Sequence, residues 1–77
     1  MELTGKVVVV TGGASGIGTG LCRRFREEGV RALIIADLNG EAVAALVDEL
    51  DAVGVTLDVR DEAAIAAMVS EVEAQFG

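Results

Sequence analysis

An α/β fold with three parallel strands in spatial order 3-2-1 and three helices is predicted by three observations. Short apolar runs alternate with stretches of helical periodicity, a glycine-rich turn follows the first run at once, and acidic residues end the later runs. Strand, helix, strand, helix, strand, helix implies a parallel sheet joined by right-handed crossovers. It is one half of a doubly wound dinucleotide fold, the Rossmann arrangement.

The elements follow in order. Val7-Val8-Val9-Val10 reads as a short buried strand of a parallel sheet. Three glycines spaced Gly12-x-x-x-Gly16-x-Gly18 come next, and a helix begins within them. Ile17, Leu21, Cys22 and Phe25 form its apolar stripe. Arg23, Arg24, Arg26, Glu27 and Glu28 are expected to face outward, and Gly29 to stop the helix. Ala32 to Ala36 is the second strand. Asn39 caps a second helix with Val43, Leu46, Val47 and Leu50 inward. Gly54-Val55-Thr56-Leu57 is the third strand, leading to Asp58-Val59. Asp61 caps a third helix with a stripe of Ile65, Met68, Val69, Val72 and Phe76. The chain contains no proline to interrupt these helices.

Strand, glycine turn and helix N-terminus in that order form an anion-binding device. The first N–H groups of a helix lack intrahelical partners, and the helix dipole adds partial positive charge there. Glycine permits positive φ and puts no Cβ between backbone and a bound pyrophosphate. Asp37, nineteen residues after Gly18, stands where a dinucleotide site places a carboxylate to accept from the ribose hydroxyls. The plainer reading of Asp37 is a cap on the next turn. A phosphate-loop nucleotidase needs Lys-Ser or Lys-Thr after the last glycine, and this chain has Thr19-Gly20. A carboxylate beside the ribose repels the 2′-phosphate of NADP. The turn residues Gly13-Ala14-Ser15 carry no cation, and Arg31 precedes its strand, so NAD is expected over NADP.

Bulk properties narrow the setting. The 77 residues allow at most one small domain, and 52% hydrophobic content excludes a disordered segment. A net charge of −7, from 13 acidic and 6 basic residues, argues against nucleic acid or an anionic membrane as partner. No apolar run approaches the ~20 residues a membrane span needs, and no signal peptide is visible at Met1-Glu2-Leu3. The single cysteine, Cys22, excludes an internal disulfide and suits a reducing compartment; its helical position reads as a buried hydrophobe. A cytoplasmic protein is expected, with no metal site.

At this point the residues resemble a known family. Thr11-Gly12-Gly13-Ala14-Ser15-Gly16-Ile17-Gly18 is similar to the TGxxxGxG cofactor motif of short-chain dehydrogenases/reductases. Leu3-Thr4-Gly5-Lys6 before the first strand, Asp37-Leu38 after the second and Asp58-Val59 after the third match in order. The resemblance implies that Gly12, Ser15 and Ile17, in a turn completed by Gly16 and Gly18, line the pyrophosphate and adenosine ribose. It implies that Asp37 and Leu38 hold the ribose and one adenine face. Asp58 would accept from the adenine amino group with Val59 beside it; a strand-end cap is the alternative for Asp58.

The family's chemistry uses a tyrosine and lysine in YxxxK, a serine and often an asparagine. This chain has no tyrosine and no histidine, so no catalytic residue is assigned. Its Asn-Asn-Ala-Gly strand is likewise absent. Two readings stay open. One is the N-terminal cofactor-binding half of an oxidoreductase moving hydride between NAD and an alcohol or carbonyl, its first-strand edge paired by a fourth strand after Gly77. The other is a truncated or excised fragment that binds NAD or ADP-ribose weakly without turnover. In that reading a symmetric dimer with sheet order 3-2-1-1-2-3 covers the apolar edge. A receiver-like signalling domain is disfavoured, because it needs no glycine turn and requires a paired acidic cluster.

Overall fold

The computed structural model describes residues 4–12 and 15–77. Leu3 of the leading match and Gly13-Ala14 of the turn lie outside the described residues. The order is β1 (Val7–Thr11), α1 (Gly16–Glu27), β2 (Ala32–Asp37), α2 (Gly40–Leu50), β3 (Val53–Thr56) and α3 (Glu62–Phe76). The strands form one parallel sheet with β2 between β1 and β3, as expected. Val7 lies opposite Ala32, and Ile34 opposite Val53. Among the described residues no helix is long and apolar enough to cross a membrane.

The central strand explains the architecture. Ala32 to Ala36 are all buried, which a strand achieves only with helices on both faces. Leu33 and Ile35 pack with Val10, Cys22, Val43, Leu46 and Leu50 beneath α1 and α2. Ala32, Ile34 and Ala36 pack with Leu57 and Met68 beneath α3. The predicted third strand is displaced by one residue. Pairing runs from Val53 to Thr56, and Leu57 follows as a buried residue whose N–H donates to Asp37 O at 3.0 Å.

The helix ends follow local chemistry. Asn39 accepts from Ala42 N and Asp61 from Ala64 N, each at 3.1 Å, so both expected caps are present. After α1, Gly29 takes φ +78° and its N–H donates to Arg26 O.

Three expectations for helix faces are corrected. Ile17 and Leu21 are exposed, so the inward stripe of α1 reduces to Cys22 and Phe25. Ile17 sits in the first turn of α1 and is 84% exposed, and Leu21 is 46% exposed. Val69 of α3 is exposed too, because α3 presents Ala64, Ile65, Met68, Val72 and Phe76 to the sheet instead. Arg26 does not simply face outward. Its guanidinium donates to Leu50 O at 2.9 Å, Asp51 O at 3.1 Å and Val30 O at 3.2 Å, clasping the end of α2. Arg23 adds a bidentate pair with Glu49 at 2.7 and 3.0 Å; at this exposure such a pair adds little stability.

Gly54 marks the closest approach of α2 to β3. A Cβ there would stand 2.7 Å from Val43 Cγ1 and 2.8 Å from Val47 Cγ2. Gly54→Ala is therefore expected to lower unfolding free energy by about 1–3 kcal/mol through overpacking. Urea unfolding checks this, and adding Val47→Ala should return part of the loss. An unchanged midpoint for the single variant would contradict the contact.

Candidate functional site

Because the strands are parallel, their C-terminal ends share one edge of the sheet. Gly12 N donates to Ala36 O at 2.8 Å across the first junction, and Leu57 N to Asp37 O at 3.0 Å across the second. With strands about 4.8 Å apart, the ends of β1, β2 and β3 form a row about 10 Å long. Gly12, Asp37 and Asp58 stand along it, one at each strand end, so the predicted site residues do converge.

At the first position the backbone builds a cradle. Gly12 has φ +69°, the left-handed region a side chain resists. Ser15 is the N-cap of α1; its hydroxyl donates to Gly12 O at 2.8 Å and accepts from Gly18 N at 3.2 Å. That clasp closes the turn and satisfies one of the N–H groups that open the helix, with Gly18 buried behind it. The N–H groups of Gly16 and Ile17 make no hydrogen bond among the described residues. A Cβ on Gly12 or Gly16 would meet nothing within 4 Å, so the space above them is open. Two donors without a partner among the described residues, the open space beside Gly12 and Gly16, and the dipole of a 12-residue helix suit a phosphate group.

At the second position Asp37 is half-buried, and its Oδ1 accepts from Asn39 N at 3.1 Å. The cap expected as an alternative is therefore present, and it holds the carboxylate at the end of the strand. At the third, Asp58 Oδ1 accepts from Arg60 N at 2.9 Å, and its carboxylate receives the Arg60 guanidinium at 2.8 to 3.2 Å. The Arg60 guanidinium, aided by the Arg60 backbone N–H, holds the Asp58 carboxyl below the usual carboxylate range. Asp58 in turn raises Arg60.

Arg60 was missed in the sequence. The available signal was its place two residues beyond Asp58, the spacing at which an aspartate receives a backbone N–H in a turn.

The sign of the Asp58 shift sets a pH test. A depressed carboxyl contributes stability above its unfolded value of about 3.9, and that contribution is lost as pH falls through the folded value. The Asp58 carboxyl carbon should thus titrate below about 3.9 by NMR and move back toward that value in Arg60→Ala. An unshifted variant would remove Arg60 as the cause.

Three apolar side chains flank the row against expectation for a water-facing edge. Ile17 is 84% exposed, Leu38 61% and Val59 49%, one following each strand. Apolar exposure grouped around polar acceptors is a mark of a binding site. Cys22 contributes no chemistry here: burial raises its thiol pKa and keeps it protonated.

A parallel sheet with a glycine cradle at its first strand end and carboxylates at the next two defines a nucleotide-binding α/β unit. The sequence profile described as short chain dehydrogenase matches residues 6–77. Momilactone A synthase from Oryza sativa subsp. japonica is 47% identical over 79 residues, covering 99% of this chain and 28% of that protein. C alpha-dehydrogenase from Sphingobium sp. is 42% identical over 77 residues, covering 94% of this chain and 25% of that protein. Among solved structures, a short chain dehydrogenase/reductase from Burkholderia phymatum in complex with NAD has a TM-score of 0.93 at 33% identity. It is matched over 100% of this chain and 29% of its own. The chain belongs to the short-chain dehydrogenase family. It spans about a quarter to a third of the length of the relatives it matches.

Proposed function

We propose that this chain is the NAD-binding portion of a short-chain oxidoreductase that transfers hydride between NAD(H) and an alcohol or carbonyl substrate. The observation that carries the reading is the grouping of Ile17, Leu38 and Val59, all exposed, around Asp37 and Asp58 beside the open cradle at Gly12 and Gly16. NAD, when bound, supplies the hydride acceptor, and NADH the donor. The N–H groups of Gly16 and Ile17 hold the pyrophosphate, while Ser15 and Gly18 keep the turn closed on Gly12. Asp37 accepts from the ribose hydroxyls, and its negative charge disfavours a 2′-phosphate, so NAD is preferred over NADP. Leu38 and Val59 cover the adenine, whose amino group donates to Asp58.

Binding and catalysis are separate on this stretch, because it supplies neither tyrosine nor histidine as an acid or base. We place the reaction in the longer protein, in the cytoplasm, with the β1 edge as the pairing surface. Lys6 O and Gly12 N bond β2, so by alternation the main-chain groups of Val7, Val9 and Thr11 point off that edge. The pairing partner is the remaining half of the fold or a second copy. Sedimentation at micromolar concentration separates them: a folded monomer removes the second copy.

Calorimetry and amide NMR test the cofactor. NAD and ADP-ribose should both bind with Kd on the order of 1 mM, about −4 kcal/mol. They should shift Gly12, Gly16, Ile17, Leu38 and Val59 together. No heat and no shifts from either ligand would end this reading.

A further inference from the structure

From Gly40 and Thr56, which adjoin the nucleotide edge, a groove of about 580 Å³ runs back between the outer side of β3 and α2. Val43, Ala44 and Val47 of α2 form its apolar floor, and Gly54 and Thr56 of β3 form its wall. The main chain of that wall has no neighbour. Leu57 N donates to Asp37 O, so residues 53, 55 and 57 turn their main-chain groups to β2. By strand alternation the N–H and C=O groups of Gly54 and Thr56 point off the sheet. An open strand edge of this kind is a template for one more strand.

Charge selects the occupant. α2 runs back along β3: a Cβ on Gly40 would lie 3.3 Å from Thr56 Oγ1, and the helix end leads through Ala52 into the strand. Asp48 and Asp51 line the groove at this second end, and neither has an ion-pair partner among the described residues. The last turn of α2 contains no basic residue, and the helix dipole adds negative potential there. Arg26 approaches from α1 and gives three of its five N–H groups to the carbonyls of Val30, Leu50 and Asp51, so it offsets part of this charge but forms no ion pair with either aspartate. A second copy added strand to strand would bring together two chains each of net charge −7, which opposes the pairing. The charge therefore disfavours self-pairing at β3 and favours a cationic partner.

We propose that the β3 edge is a docking site for an extended, basic segment of another protein. The segment pairs its main chain with Gly54 and Thr56. Alternate side chains face α2, with apolar ones over Ala44 and Val47 and a lysine or arginine at Asp48 and Asp51.

The probe is the blocked peptide Ac-Lys-Thr-Val-Thr-Val-Thr-Lys-NH2, which puts both lysines and both valines on one face in either strand direction. Titrated into the isotope-labelled chain, it should shift the Gly54 and Thr56 amides and weaken as salt rises. The same peptide with glutamate for lysine should bind at least tenfold more weakly, and Asp48→Asn with Asp51→Asn should weaken the lysine peptide at least fivefold. Thr56→Pro removes an edge N–H that β2 does not use and should abolish binding. If that variant does not fold, the aspartate pair decides. Equal binding of both peptides, or no shift at Gly54 and Thr56, overturns the proposal. So does concentration-dependent dimerisation that shifts those amides without peptide, which would make a second copy the occupant.

Discussion

Ile35→Ala is expected to lower unfolding free energy by about 2–5 kcal/mol. Ile35 has no exposed surface and packs where α1 and α2 meet the sheet, among Cys22, Val43 and Leu46. Removing its outer carbons leaves a cavity that two helices and a central strand cannot jointly collapse around. A chain of 77 residues commands about 4–12 kcal/mol in total, so this single change approaches the whole stability. Ile34 is equally buried but faces α3. Ile34→Ala should lose a similar amount, with hydrogen exchange rising first in α3, whereas Ile35→Ala should loosen α1 and α2 first. Urea unfolding together with exchange by residue checks both. The conservative Ile35→Val should cost only about 0.5–1.5 kcal/mol. A similar loss from valine and alanine would contradict cavity formation as the cause.

The second large effect is on cofactor choice. Asp37→Asn removes the charge at the end of β2 while keeping an oxygen that accepts from Asn39 N, so the turn into α2 survives. Two unit charges 4 Å apart interact by about 1 kcal/mol in water, so a 2′-phosphate near −2 meets about 2 kcal/mol of repulsion from Asp37. Removing it should raise the NADP-to-NAD affinity ratio about 30-fold. Part of that change comes from weaker NAD binding, since a neutral amide accepts less strongly from ribose hydroxyls than a carboxylate does. Competition calorimetry with both dinucleotides measures the ratio. An unchanged ratio would remove Asp37 from the ribose position and leave it as a turn cap alone.

Much of the fold and part of the site were legible because their causes are local. The positive φ at Gly12, the Asn39 and Asp61 caps and the stop at Gly29 each follow from one residue acting on its own stretch of backbone, whereas the Ser15 cap emerged only in the structure. The burial of Ala32 to Ala36 follows from an unbroken apolar run on the central strand; the equally apolar Val7 to Val10, expected to be buried, buries only Val10 and leaves Val9 exposed, because β1 lies at the edge of the sheet. The α1 stripe was misread for a corresponding reason. Periodicity shows that Ile17, Leu21, Cys22 and Phe25 share a side of the helix, and it carries no information about which neighbours reach that side. Cys22 and Phe25 meet the sheet, Leu21 does not, and Ile17 stands beside the cradle. Arg26 was read as facing outward and Arg60 was not singled out, because an arginine's partner is chosen by what lies within reach, here the carbonyls ending α2 and the carboxylate of Asp58.

The sequence by itself determined the alternation of three strands and three helices, the glycine turn, the caps of α2 and α3 and the acidic residues that end β2 and lead out of β3. All of these are encoded within a few consecutive residues. Only the tertiary structure decided that Gly12, Asp37 and Asp58 stand in one row, that Ile17, Leu38 and Val59 stay exposed around it, and that a groove with an acidic end opens along β3. Those facts depend on strand register and on which helix covers which face. Both are set by contacts between residues far apart in the chain.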